Sequence, residues 1–85
     1  MKRKPIMMDI TEYQAVMLRK GLSLQRARIA ELAALGLTTQ DIAEEFGLSR
    51  VTIKFHMTRI YRLLKIKTKP GSYVARQALR RIGGL

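Results

Sequence analysis

The chain reads as all-α, a small helical bundle containing a helix-turn-helix, and three observations predict this. Apolar residues recur at spacings of three and four in several separate runs. A serine or threonine stands just ahead of those runs, at Thr11, Ser23, Thr38 and Ser49, and a glycine closes three of them, at Gly21, Gly36 and Gly47. Two of the runs are joined only by Gly47-Leu48-Ser49, a three-residue turn containing glycine. With 85 residues the chain has room for one domain. A single core of that size leaves a modest stability margin, so docking to a partner or to itself would help.

The elements follow in order. Residues 1–21 form a basic N-terminal extension with a short helix: Thr11 and Gln14 make a capping-box pattern, and Tyr13, Val16, Met17 and Lys20 continue it to Gly21. Met1 to Lys4 is either a basic arm that follows DNA into an adjacent groove or a disordered solubilising end. Residues 22–85 form the main domain. Ser23 caps a helix that runs to about Ala34, with Ile29, Leu32 and Ala33 at helical spacing and Gly36 as its stop. Thr38 offers its side-chain oxygen to the amide of Asp41, whose charge suits the first turn of the next helix. That helix spans Thr39 to Phe46, with Ile42, Ala43 and Phe46 inward and Gln40, Glu44 and Glu45 wet. Gly47 supplies a left-handed position, Leu48 plugs into the core, and Ser49 caps the third helix through the amide of Thr52. From Arg50 to Lys65, the residues Ile53, Met57, Ile60 and Leu64 make one apolar stripe, and Arg50, Val51, Lys54, Phe55, Thr58, Arg59, Arg62 and Lys65 lie opposite.

Charge narrows the function. Seventeen Lys and Arg against six Asp and Glu leave +11. Residues 1–45 hold seven bases and six acids, a balance of +1, whereas residues 46–85 hold ten bases and no acid. A solubilising surface mixes both signs, so forty residues of one sign point to a polyanion. A helix in a DNA groove runs between phosphates, where a carboxylate on its outer face would be repelled; the preceding helix can tolerate Glu44 and Glu45. The chain has no cysteine, hence no disulfide, thiolate metal site or Cys nucleophile. It has no apolar run near the roughly 18 residues that cross a bilayer, and no secretory segment, so the expectation is a soluble, cytoplasmic protein with no membrane partner.

From Leu22 to Ile66 the sequence resembles the DNA-binding domain of LuxR-type (GerE-like) transcriptional regulators. The residues that carry the resemblance are Leu22-Ser23, Gly36-Leu37-Thr38, Asp41-Ile42-Ala43, Leu48-Ser49, Thr52-Ile53-Lys54, His56, Ile60 and Leu64-Lys65-Ile66. The resemblance implies a four-helix domain with the helix Arg50 to Lys65 in the major groove. It also implies a fourth helix, Ser72 to Ile82, packed behind it. That helix has Ser72 as cap, Val74, Ala75, Ala78, Leu79 and Ile82 as apolar positions, and Gly83-Gly84 at its end. The chain departs from the family's pattern in three places. Gln25-Arg26 stands where an Arg-Glu pair is usual, Lys65-Ile66 stands where Gly-Val is common, and there is a two-residue excess around Lys69-Pro70-Gly71. Sigma-factor region-four domains share the hydrophobic skeleton, but His56, two residues after Lys54, favours the LuxR-type reading.

Roles follow from the resemblance and the outward positions together. Lys54 can donate to guanine acceptors, Phe55 can press on a thymine methyl, and Thr58 can do either. The alternative for Phe55 is a core position, and for Val51, a further thymine-methyl candidate, a packed edge. Arg50, Arg59, Arg62 and Lys65 are phosphate clamps, with the hydroxyls of Thr38, Thr39 and Thr52 and the amide of Gln40 at the start of the Thr39 helix. Thr38 and Thr52 read equally well as a cap and a helix hydroxyl. His56, the single histidine, is expected as a half-buried ring bonded to a neighbouring helix or a phosphate, since no second His, Cys or paired carboxylate stands near it.

The sequence thus predicts a sequence-specific transcriptional regulator of double-stranded DNA, acting on the nucleoid of a bacterium, phage or plasmid host, with no enzyme activity, metal or cofactor. At this length it reads as almost entirely DNA-binding domain. The resemblance places the fourth helix at a two-fold interface, implying a homodimer that meets through Val74, Ala78, Leu79 and Ile82 and reads half-sites about 10 to 10.5 base pairs apart. The alternative is a small interaction protein that sequesters another regulator or contacts RNA polymerase, with DNA binding weak or incidental. RNA is disfavoured, because the chain shows no aromatic-rich sheet for stacking bases.

Overall fold

Alanine decides where the middle of the molecule lies. The computed structural model describes residues 10–69 and 71–85. Within them run α1 (Glu12–Arg19), α2 (Leu24–Ala34), α3 (Thr39–Phe46), α4 (Arg50–Leu63) and α5 (Tyr73–Ile82), with no strand among the described residues. Ala27, Ala30, Ala33 and Ala34 of α2 are all buried, and side chains this small let neighbours approach closely. Accordingly α2 packs against α1, α3, α4 and α5, while α3 packs also on α4. Met17, Ile29, Ile42, Ile53, Ile60 and Leu79 fill the space between. Each such side chain contributes about 1.5–3 kcal/mol on burial.

Every helix starts as local chemistry dictates. The hydroxyls of Thr11, Ser23, Thr38, Ser49 and Ser72 accept from the amides of Gln14, Arg26, Asp41, Thr52 and Ala75, and Gln14 and Asp41 complete capping boxes. A cap of this kind is worth about 1 kcal/mol. The helix ends also share one device: the amides of Leu22, Leu37, Leu48, Ile66 and Leu85 return to the carbonyls of Met17, Leu32, Ala43, Tyr61 and Arg80. Such a turn needs a left-handed residue just before the returning amide. Gly21, Gly36, Gly47 and Gly84 supply it in four cases, and Lys65, at φ 60°, in the fifth.

That last turn corrects the expected length of the third helix. Instead of running to Lys65, α4 stops at Leu63 with Leu64 as its cap, and Lys65 has already left the helical conformation. The bonds from Lys65 N to the Arg62 carbonyl and from Ile66 N to the Tyr61 carbonyl reverse the chain there.

The N-terminal helix α1, which lies in the described part of the segment expected as an extension, packs into the same core as the rest. The Tyr13 hydroxyl donates to the Leu79 carbonyl at 3.0 Å, with the Ala30 carbonyl 3.5 Å away, and so joins α1 to α2 and α5. Burial, and next the nearby Glu31 carboxylate, push this hydroxyl well above its ordinary pKa of 10.0. The ring lies against Gly83, where any Cβ would overlap it. Glu31 in turn accepts from Thr11 Oγ1 at 2.9 Å and Gln14 Nε2 at 2.7 Å. Met1 to Lys4, expected as an arm or a disordered end, lies outside the described residues.

Helix α5 follows the expectation in extent, with Ser72 as cap, but not in which residues face outward. Leu79 is 0% exposed and fills the core, so it cannot meet a second chain. Ile82 packs half-buried against that core, whereas Val74 is exposed and Ala78 half-buried. The reason is the rotation set by Ala75 and Leu79, four residues apart, which both point at α2. From the same helix, Arg76 Nη1 donates to the Ala33 and Leu37 carbonyls at 2.9 and 3.0 Å, and Arg80 Nη1 to Ala34 at 3.2 Å. Both arginines thereby satisfy carbonyls at the C-terminal end of α2, where a cation is favoured.

Candidate nucleic-acid interface

The two sides of α4 divide cleanly. Ile53, Met57, Ile60 and Tyr61 are buried, and Arg50, Val51, Lys54, Phe55, Thr58, Arg59 and Arg62 are exposed. Among them Val51 is 76% and Phe55 55% exposed, which removes the core reading for Phe55 and the packed-edge reading for Val51. The Phe55 ring carries the Arg59 guanidinium 5.0 Å from its centre, and the His56 ring meets it edge-on at 6.4 Å. Such a cation contact contributes about 0.5–1 kcal/mol at an exposed site.

Each of the remaining expected contacts has a definite local state. The Thr58 hydroxyl donates to the Lys54 carbonyl at 3.1 Å, so it presents a methyl and an acceptor to a partner. Thr52 is half-buried; its amide bonds to Ser49 Oγ, and its hydroxyl accepts from the same atom at 3.0 Å. Thr38 serves the capping box, with Oγ1 3.0 Å from the Asp41 amide. Thr39 is half-buried and borders one cavity with Lys54 and Thr58, so the start of α3 and the outer face of α4 do converge. Gln40 is different: its side-chain amide donates to Glu44 at 2.8 Å, which places an acid beside an expected phosphate contact.

Histidine 56 has the neighbour the sequence reading asked for. Arg26 Nε of α2 donates to His56 Nδ1 at 3.1 Å, so the proton of the neutral ring resides on Nε2. Partial burial, and then the Arg26 charge, hold the imidazole below its ordinary 6.5. The Gln25-Arg26 departure thus brings its own partner.

The basic half of the chain is now partitioned. Arg76 and Arg80 are committed to the carbonyls of α2, and the other eight bases, Arg50, Lys54, Arg59, Arg62, Lys65, Lys67, Lys69 and Arg81, are all exposed. What the sequence reading missed is Tyr61, whose hydroxyl is buried without a hydrogen-bond partner among the described residues, together with the cavity it borders. Its position four residues after Met57 and eight after Ile53 carries the inward signal; its polar end disguised it. The arrangement offers anions an exposed ridge of donors and one aromatic face.

A family model described as "Bacterial regulatory proteins, luxR family" matches residues 20–75, which takes in α2, α3, α4 and the start of α5. No curated protein and no solved structure matches the chain.

Proposed function

The chain belongs to the luxR family of bacterial regulatory proteins, a family of helix-turn-helix DNA-binding regulators, and from that premise we propose that it reads double-stranded DNA through α4 in the major groove. The observation that carries this reading is the exposed row Val51, Lys54, Phe55 and Thr58, flanked by Arg50, Arg59 and Arg62 on a helix without a carboxylate. Lys54 donates to guanine, Phe55 and Val51 touch thymine methyls, and Thr58 offers its methyl or acceptor. Arg50, Arg59, Arg62 and Lys65 hold phosphates, aided by Thr38, Thr39, Thr52 and the backbone amide of Gln40 near the start of α3. Residues 22–85 form the reading domain, and α1 buttresses α5 through Tyr13.

The protein acts in the cytoplasm as a homodimer. Val74 and Ala78, together with exposed Tyr73, offer a small apolar patch on the outer side of α5. Two copies joined there would present two α4 helices to half-sites about 10 to 10.5 base pairs apart.

Paired substitutions test the assignment. Lys54→Ala is expected to lose about 1–3 kcal/mol on a selected site and to relax preference at one base pair, while Arg62→Ala weakens all duplexes alike and lowers the salt slope by about 1. If neither substitution changes DNA affinity while binding to RNA polymerase or another regulator suffers, the groove reading gives way to that of an interaction protein.

A further inference from the structure

We propose that the cavity between α2, α3 and α4, bordered also by Lys69, Gly71 and Arg76, binds a small organic anion with an apolar, ring-sized body, and that its occupancy opposes DNA binding. The cavity holds about 290 Å³. That is near the lower end of the roughly 300–1,000 Å³ usual for small-molecule sites. Ala33, Leu37, Ile42 and Met57 give it an apolar lining, and no acid among the described residues lines it. Lys54 and Lys69 border it with exposed ammonium groups, and the Arg76 guanidinium is pinned at the wall by the Ala33 and Leu37 carbonyls. An apolar lining with a cationic rim matches a ring bearing a carboxylate better than it matches an isolated phosphate.

Tyr61 supplies the second, independent observation. The residue is 3% exposed, and its hydroxyl has no hydrogen-bond partner among the described residues. Burial raises the hydroxyl above its ordinary pKa, and the Gly71 backbone N–H and the Arg76 charge oppose the rise; both groups line the cavity and both can only donate to the oxygen, so it is the O–H itself that lacks an acceptor. A neutral O–H held among cations calls for an anionic acceptor. Tyr61 itself lines the cavity.

The coupling to DNA rests on the groove reading above. Lys54 and Thr58 belong to both surfaces, so an anion in the cavity neutralises one proposed base contact and crowds another.

The binding half is tested without DNA, by following backbone amide NMR shifts of the full chain during titration with benzoate, salicylate and indole-3-acetate. Neutral indole-3-ethanol and inorganic phosphate serve as controls. We expect saturable shifts at Ala33, Leu37 and Gly71 with at least one organic anion, and far weaker ones with either control. Tyr61→Phe should fold normally, because it deletes an unpaired buried hydroxyl, yet bind the probe about tenfold more weakly. Lys69→Gln should weaken it less. The proposal is overturned if no organic anion shifts these amides at millimolar concentration, or if phosphate acts as strongly. It fails equally if Tyr61→Phe raises thermal stability while probe affinity stays unchanged, since the hydroxyl is then only a packing defect. In the second arm, saturating probe should lower affinity for duplex DNA severalfold, and binding with no such loss overturns the coupling. A chain that holds no DNA at all defeats the groove reading, while the titration still decides the cavity.

Discussion

Replacing Lys65 by glycine separates folding from function at one residue. Lys65 sits at φ 60°, the one described non-glycine residue in the left-handed region, at a turn where the other four helices use glycine. An L-residue there costs roughly 1–2 kcal/mol, and glycine would give back about 0.5–1 kcal/mol through the freedom of its unfolded chain. The side chain is exposed, so little packing is lost. The net expectation is a gain of about 0.5–1 kcal/mol, or ~2–8 °C in Tm for a domain of this size. The charge works the other way. If Lys65 holds a phosphate, its loss should lower the slope of log affinity against log salt by about 0.9. Lys65→Ala is the control: it removes the charge but keeps the unfavourable φ, so its salt slope should fall without the gain in Tm. Scanning calorimetry and fluorescence anisotropy across a salt series read the two effects separately. A Lys65→Gly protein that melts no higher than Lys65→Ala would refute the conformational argument, and unchanged salt slopes in both would remove Lys65 from the interface.

Other substitutions probe the packing and the ionisable groups. Gly83→Ala drives a methyl into the Tyr13 ring and should cost about 1–3 kcal/mol in chemical denaturation. His56 has a folded-state pKa below 6.5, so the unfolded chain takes up its proton first and stability should decline as pH falls through 6.5. Urea denaturation of the wild type against His56→Gln across that range reads the difference, which should vanish above it. Val74→Glu should leave thermal stability within about 0.5 kcal/mol yet lower the mass of the DNA-bound species in analytical ultracentrifugation, whereas Leu79→Ala should cost about 2–5 kcal/mol from a lost core contact.

Much of the fold was legible because its determinants are local. Ser23, Thr38 and Ser49 each meet an amide three residues on, and the stripe Ile53, Met57, Ile60 and Leu64 repeats every turn, so both could be read without knowing any neighbour. The errors arose where distant contacts decide. Val74, Ala78, Leu79 and Ile82 are all apolar on one short helix, and only its docking against α2 separates exposed Val74 from buried Leu79. Lys65 reads as a good helix former, and nothing adjacent to it announces the left-handed turn. Arg76 and Arg80 read as free charges for a polyanion, but their partners are carbonyls far away in sequence. The outer face of α4 was readable because exclusion of carboxylates is a property of composition. The Arg59–Phe55 stack and the Arg26–His56 bond depend on side-chain geometry that spacing does not specify.

Selection of bound sequences from a randomised duplex pool by the purified chain, at about 0.15 M salt, tests the central claim most directly. The expected outcome is enrichment of paired half-sites about 10 to 10.5 base pairs apart, bound at least ~10³-fold more tightly than random duplex. Recovery of a pool no richer in any sequence than the starting mixture, bound with one uniform affinity, would contradict that claim.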